Sequence, residues 1–197
     1  MTSSSVAAVC SYCGTTVARS DKAGEEALEN LGKISALVED GSPLCLGAKG
    51  AFEGKRFEVV GRLQLEQETG FWNEWFLHYS GEATGWLGEA MGQYFMTAAQ
   101  SAAQVPPFEK LQVGGALELL GKRWTVAEKR TGRCTGGEGE LPFVAGNGYE
   151  LPYADLRGPD ARFATLDYSE DQPLVFAGRA VEWDELSLKE HREFSGW

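Results

Sequence analysis

Apolar and polar residues alternate with a period of two along most of the chain after residue 44. Between Phe57 and Leu65 the apolar side chains occupy every second position, which predicts a strand with one face on a core. The same pattern predicts strands at 71–79, 84–90 and 94–97, with glycine-containing turns between them. Short strands joined in this way are typical of a small antiparallel barrel or a strongly bent sheet.

The pattern before residue 44 is different. Leucine or isoleucine recurs every third residue from Leu28 to Leu37, which predicts a helix over 22–38. The Gly41-Ser42-Pro43 turn ends this segment, so we expect a helix and turn over 22–43. Residues 1–21 then form a separate N-terminal arm.

A short repeat divides the rest of the chain. Residues 46–60 align without gaps on 113–127, with five of fifteen positions identical and a shared Gly-Lys-Arg turn. We therefore predict a first β unit at 44–105, a second at 106–186 and a tail at 187–197. Glycine-rich segments at 136–139 and 146–148 predict turns in the second unit, and 163–168 and 174–181 predict strands. The predicted fold is mostly β, with one short N-terminal helix and two related small antiparallel barrel or bent-sheet units in tandem.

Charge narrows the classes of partner. The chain has 29 acidic against 18 basic residues, a formal net charge of -11. Such a surface repels phosphate backbones, which argues against a nucleic-acid partner and favours cationic ligands. No apolar run approaches the roughly 20 residues that span a bilayer, and no basic region precedes the short apolar stretch at the start. These features predict a cytoplasmic protein.

Two of the four cysteines, Cys10 and Cys13, form a Cys-x-x-Cys-Gly knuckle. Zinc ribbons hold their metal with two such knuckles, and this chain shows one of them, a half-ribbon arm. Cys45 and Cys134 are isolated in strand-like sequence, where buried apolar thiols are expected. We predict either a vacant half-site, with no cofactor, or a zinc ion shared between two chains of a homodimer.

An aromatic strand carries the main candidate binding residues. With a period of two, Trp72 and Glu74 share one face of the predicted strand 71–79, and Trp75 lies on the other. One interpretation is that both faces are core. The other is a groove lined by Trp72 and Trp86, with Glu74 beside them, that holds a cation or an extended peptide.

Acidic residues of the second unit add one more candidate. Carboxylates occur at Glu138, Glu140, Asp155, Asp160 and Asp167, at spacings that match no known metal loop. Solvated turns or capping explain most of them. Asp167 is the least ordinary, because strands disfavour Asp. The candidate ligand-binding residues are therefore Trp72, Glu74, Trp75, Trp86 and Asp167.

Several sequence blocks together resemble a known family. The specific ones are Trp72-Asn73-Glu74-Trp75 and Ala164-Thr165-Leu166-Asp167-Tyr168-Ser169. Over residues 6–188 the chain resembles the bacterial domain-of-unknown-function family 4178. The resemblance implies zinc-ribbon-like cysteine pairs, with an earlier knuckle that lies upstream of the first residue here. It also implies partners encoded nearby: a small membrane protein and an aminopropyltransferase similar to spermidine synthase, a polyamine-synthesis enzyme.

No catalytic motif occurs in the chain, and we predict no catalytic residues. The leading interpretation is a non-catalytic binding or scaffold module in a larger cytoplasmic assembly, linked to the membrane through such a partner. The alternative is an enzyme, or an enzyme accessory subunit, that acts on a small cationic metabolite such as a polyamine. A buried cleft that joins Glu74 or Asp167 to His78 would favour the enzyme, whereas a flat aromatic patch or an exposed sheet edge would favour the binding module.

Overall fold

The structure is a computed structural model that describes residues 2–20, 27–33, 37–38, 40–145 and 148–192. These residues form thirteen antiparallel strands and two short 3-10 helices, Phe108–Lys110 and Trp183–Leu186. The strands are β1 Ala7–Val9, β2 Thr15–Ser20, β3 Ala27–Lys33, β4 Lys49–Phe52, β5 Lys55–Gln67, β6 Gly70–Tyr79, β7 Thr84–Ala90, β8 Gln93–Gln100, β9 Ala116–Leu119, β10 Lys122–Leu141, β11 Glu150–Arg157, β12 Arg162–Asp167 and β13 Leu174–Val181. The described part of the chain contains no helix long and apolar enough to cross a membrane.

Eight of the strands close into a ring. The order β5-β6-β7-β8-β13-β12-β11-β10 returns to its start, because β10 pairs with β5 as well as with β11. Two meanders, β5 to β8 and β10 to β13, are thus joined at two seams, β8–β13 and β5–β10. We call this closed sheet the strand ring. The fold class is mostly β, as predicted, but the two related barrel or bent-sheet units predicted in tandem are not supported, since both meanders complete one sheet.

The aligned repeat corresponds to two hairpins of the same geometry. The β4–β5 and β9–β10 hairpins have the same register at positions 67 residues apart, for example Gly50 with Phe57 and Leu117 with Trp124. The Gly47 amide donates to the Val59 carbonyl at 2.8 Å, and the Gly114 amide donates to the Val126 carbonyl at the same distance. The second strand of each hairpin, β5 or β10, is a long strand of the strand ring.

A β-bulge in each long strand exchanges its two faces. In β5 the register shifts between Val59 and Gly61, so Phe57 and Val59 face outward while Leu63 and Leu65 face the interior of the ring. An equivalent shift lies between Val126 and Glu128 in β10. The period-two pattern alone would place all four apolar residues of β5 on one face.

The predicted helix over 22–38 is wrong where the structure describes it. Ala27–Lys33 is a strand, β3, which pairs antiparallel with β2. Leu28 and Leu31 are exposed, so their spacing does not mark a buried helical face. Gly32 has a φ of 93°, outside the helical region. The remaining residues of the predicted helix lie partly outside the described ranges.

The glycine-rich segment 136–139 is also not a turn. It lies inside β10, at the seam with β5. A Cβ atom on Gly137 would stand only 3.0 Å from the Arg62 carbonyl oxygen, so glycine permits the close approach of the two strands. The predicted turn at 146–148 begins outside the described residues.

Two apolar clusters cover the outside of the ring. One packs Leu44, Ala48 and Leu186 over the outer faces of β5 to β8, around Trp75 and Leu77. The other packs Leu111 and Leu119 over β10 to β13. Because these clusters bury the outer faces, the inward side chains are left to line an interior cavity.

Candidate functional site

The interior of the strand ring contains a cavity of about 460 Å³. This volume lies within the range of small-molecule sites, about 300–1,000 Å³. Every strand of the ring contributes to its wall. The residues that line the cavity include Leu63, Leu65, Trp72, Glu74, Trp86, Phe95, Glu128, Arg130, Tyr149, Leu151, Tyr153, Asp155, Arg157, Phe163, Thr165, Asp167 and Phe176.

Aromatic side chains form a large part of the wall. Trp86 packs against Phe76 with ring centroids 4.9 Å apart, and against Phe176 at 6.5 Å. Trp72 contacts Tyr153 at 5.6 Å. Such faces offer an apolar surface to a ligand and a negative quadrupole to a cation.

Glu74 is the most perturbed acid of the cavity. Its Oε1 accepts a hydrogen bond from the Trp72 Nε1 at 3.2 Å, and it faces Gly88 across the strand pair. Burial among the aromatic side chains, and then the nearby charges of Asp155 and Asp167, raise the pKa of Glu74 to about 8. Glu74 therefore holds a proton at neutral pH when the cavity contains no ligand.

Two aspartates on neighbouring strands complete the acidic cluster. Asp155 on β11 accepts a hydrogen bond from the Thr165 hydroxyl at 2.8 Å, and burial raises its pKa to about 6. Asp167, at the end of β12, pairs in register with Tyr153. Burial also raises the pKa of Asp167. We call Glu74, Asp155 and Asp167 the carboxyl cluster.

Arg157 contributes a guanidinium group to the cavity wall. Its guanidinium carbon lies 4.6 Å from the Phe95 ring centroid and 4.5 Å from that of Phe163. The two rings stack on each other with centroids 4.3 Å apart. Arg130, the other cation in the lining, forms an ion pair with Glu128.

One end of the ring gives access to the cavity. The β5–β6 and β7–β8 turns lie at the same end of the first meander, and the cavity reaches both of them. Their apolar residues Phe71 and Met91 are 49% and 84% exposed. This end is therefore the mouth of the cavity, with an apolar rim.

The structure brings together four of the five predicted ligand-binding residues. Trp72, Glu74, Trp86 and Asp167 all line the cavity. Trp75 lies on the outer face, where it is fully buried, donates a hydrogen bond to Glu89 at 2.9 Å and packs under Arg62. Trp75 thus belongs to the outer core.

The Trp75 environment also fixes the segment before β4. Arg62 is 3% exposed, donates to the Asn73 Oδ1 at 2.8 Å and forms an ion pair with Asp40. The Ser42 hydroxyl donates to the Glu89 carboxylate at 2.6 Å. These bonds hold the chain around residues 40–44 against the outside of the ring.

Arg157 is the functional candidate that the sequence interpretation missed, and Asp155 was named only within the acidic set. Solvated turns or capping were expected for most of that set, but Asp155 sits inside β11 with Tyr153 and Arg157 on the same face. The signal was present as polar residues at every second position of Tyr153-Ala-Asp155-Leu-Arg157, with buried Ala154 and Leu156 between them. Of the other acids, Glu138 pairs with Arg62 and Glu140 accepts from the Ser5 hydroxyl.

His78 does not join the acids. It is absent from the cavity lining, and its Nε2 is buried without a hydrogen-bond partner among the described residues. The cleft that would have favoured an enzyme, with His78 beside Glu74 or Asp167, is therefore not formed.

The cysteine knuckle is not part of the cavity lining and lies at the turn between β1 and β2. Both thiols are exposed, and the Cys13 Sγ lies 3.2 Å from the Thr15 Oγ1. This hydrogen bond, together with one to the Thr15 backbone and one to Cys10, lowers the pKa of Cys13 to about 7. Within the described residues no three His, Cys, Asp or Glu side chains come together as a metal site. Two thiolates do not complete the four-ligand set of a structural zinc, so one chain alone does not fit the metal.

Comparison with known protein families identifies a match. A family model described as a domain of unknown function, DUF4178, matches residues 45–183. The matched span contains the whole strand ring and the carboxyl cluster, and it begins after the cysteine knuckle. No curated protein and no solved structure matches the chain significantly.

Proposed function

The chain belongs to the DUF4178 family, and we propose that it is a binding protein that holds a small amine with an apolar body inside the strand ring. The observation that carries this proposal is the carboxyl cluster, three acids set in an aromatic cavity. Isolated carboxylates are costly to bury, and a bound cation offsets that cost.

Chemistry and shape support the same class of ligand. A protonated amine next to Glu74 and Asp155 would favour their charged forms, and the faces of Trp72 and Trp86 would contact its alkyl part. The net charge of -11 attracts cations over longer distances. The apolar rim at Phe71 and Met91 suits a ligand that is itself partly apolar.

A second candidate function is an enzyme that acts on such an amine. The raised pKa of Glu74, close to neutrality, favours it, because general acids and bases work best with a pKa near the working pH. We place it second because the cavity lining contains neither a histidine nor a cysteine and shows no nucleophile with its base.

The wider setting is part of the proposal. We propose that the protein acts in a cytoplasmic assembly, as a scaffold or carrier for a partner. One predicted partner is a polyamine-synthesis enzyme, which makes amines and is therefore consistent with a cationic ligand. The other predicted partner is a small membrane protein.

Calorimetric titration tests the binding proposal. The titration compares hexylamine, 1,6-diaminohexane and spermidine with hexanol, which matches hexylamine in length but has no charge. Amines should bind at least about 10-fold tighter than hexanol, the order of one charge-assisted hydrogen bond. At pH 7 the binding heat should depend on the buffer, since the cation displaces the proton of Glu74.

Two variants sharpen the test. Glu74→Gln should weaken amine binding and remove the buffer dependence, while Glu118→Gln, at an exposed position outside the cavity, should leave both unchanged. Equal affinity for hexanol and hexylamine, or no binding of any amine, would reject the proposal.

A further inference from the structure

Arg157 places a positive charge in the wall of the cavity that holds the carboxyl cluster. Its side chain lines the cavity and stands against the rings of Phe95 and Phe163. No hydrogen bond or ion pair to its guanidinium group occurs within the described residues. Asp155 nevertheless lies near enough for the charge of Arg157 to act against the rise in the Asp155 pKa. Arg157 is partly buried, and its guanidinium carries five N–H donors that are available to a ligand in the cavity.

The other cationic side chains explain why Arg157 stands out. Arg130, also in the cavity lining, is paired with Glu128, and the buried Arg62 is bonded to Asn73, Asp40 and Glu138. Each of these arginines has a partner that accounts for its position. Aromatic faces give Arg157 a cation–π contact, but they accept none of its in-plane N–H groups.

The spacing between Arg157 and the carboxyl cluster defines two poles. Asp155 and Arg157 are two residues apart on the same face of β11, which separates their backbones by roughly 7 Å. Arg157 is the last residue of β11, next to the turn that leads into β12. A ligand that reaches from one pole to the other needs groups of opposite charge at its two ends.

We propose that the ligand is amphoteric, with its amine at the carboxyl cluster and a carboxylate or similar anionic group held by Arg157. This inference rests on the proposed function, because it takes the amine site as given and adds an anionic subsite. The planar guanidinium suits a carboxylate, which it binds through two parallel hydrogen bonds. The rings of Phe95 and Phe163 contact the guanidinium of Arg157 and restrict its movement, so little side-chain freedom is lost on binding.

A matched ligand series tests the anionic subsite on the unaltered protein. Calorimetric titration would compare 4-aminobutanoate, 6-aminohexanoate and 8-aminooctanoate with the alkylamines of equal chain length, and with hexanoate. We expect one of the ω-amino acids to bind at least about 10-fold tighter than its alkylamine, and hexanoate to bind weakly.

The outcomes separate the two proposals. If alkylamines bind and every ω-amino acid binds equally or more weakly, the anionic subsite is rejected while the amine site stands. If neither series binds, both proposals fail. If hexanoate binds best, the cavity is an anion site and both proposals are again overturned.

Variants then assign the effect to Arg157. In Arg157→Gln the ω-amino acid should lose its advantage over the alkylamine, whereas Arg123→Gln, an exposed arginine outside the cavity, should keep it. Arg157→Met retains an unbranched side chain against the two rings and serves if the glutamine variant does not fold. An advantage that persists in a folded Arg157 variant would reject the assignment.

Discussion

Glu74 and Asp155 show how the site is built from single residues. Each sits on a strand that also carries large apolar residues, and each is surrounded by side chains from other strands of the ring. Burial is the main cause of both raised pKa values, and the neighbouring negative charge adds to that of Glu74. At neutral pH the folded state therefore holds the Glu74 proton, which the unfolded chain releases, whereas Asp155 is mostly ionised there.

This difference in proton binding predicts a pH-dependent stability. From about pH 4.5 to about pH 8 the unfolded chain has lost the Glu74 proton while the folded chain keeps it. The contribution of Glu74 to the free energy of unfolding thus falls as pH rises, by up to about 1.4 kcal/mol per pH unit. Glu74→Gln should remove this fall, because Gln keeps the shape, and its oxygen can still accept from Trp72.

Denaturant unfolding at pH 5, 7 and 9 checks the prediction. The variant should be close to the native protein at pH 5 and progressively more stable than it at pH 7 and 9. Glu118→Gln, at an exposed position, should track the native protein throughout. A constant difference between Glu74→Gln and the native protein across this range would contradict it.

At the scale of elements, the ring depends on glycines at its two seams. Gly61 on β5 lies against the Glu140 carbonyl at the β5–β10 seam, and a Cβ atom there would overlap that oxygen. Gly178 on β13 lies against the Met96 carbonyl at the β8–β13 seam in the same way. The obstruction is backbone in both places, so a side-chain rearrangement cannot relieve it.

Gly178→Ala should therefore open or distort the β8–β13 seam. We expect a loss of at least about 3 kcal/mol in the free energy of unfolding, at the upper end of overpacking effects, together with weaker amine binding. Gly41→Ala is the matched control, since no atom lies within 4 Å of its added Cβ. Chemical denaturation measures both variants, and a loss below about 1 kcal/mol for Gly178→Ala would show that the seam is more adaptable than its geometry indicates.

At the scale of the whole molecule, the knuckle and the cavity are separate. Cys10 and Cys13 lie at the β1–β2 turn of the arm formed by β1 to β3. This arm joins the ring through the pairing of β1 with the C-terminal end of β10, and Val9 packs in the same cluster as Leu63 and Leu65. The low pKa of Cys13 favours the thiolate that zinc requires. Two exposed thiolates on one chain and two on another would complete a tetrahedral site.

We expect zinc to be bound by two chains together or not at all. Elemental analysis should find either no zinc in a monomer or one zinc per two chains in a dimer, and a chelator should dissociate that dimer. Light scattering after gel filtration gives the mass. Cys13→Ser should abolish zinc binding, while Cys45→Ser, at a thiol outside the knuckle, should not. One tightly held zinc per chain in a monomeric sample would contradict the prediction.

Local sequence patterns determined several of the strands after residue 44. The predicted segments 84–90 and 174–181 coincide with β7 and β13, because alternation of side chains between two faces is a property of a few consecutive residues. The same rule placed Trp72 and Glu74 on one face and Trp75 on the other, as the structure shows. The acidic net charge and the cysteine knuckle are likewise read directly from residue identities.

Tertiary structure decided which faces point inward. The bulge after Val59 reverses the two faces of β5, and the pairing of β5 with β10 closes one ring where the repeat indicated two units. That closure brings Glu74 on β6 to the same site as Asp155 and Arg157 on β11, although the two strands are distant in sequence. Ala27–Lys33 became a strand because β2 offers it an edge. Alternation describes a strand's two faces, but long-range pairing and burial choose between them, and no local pattern contains that information.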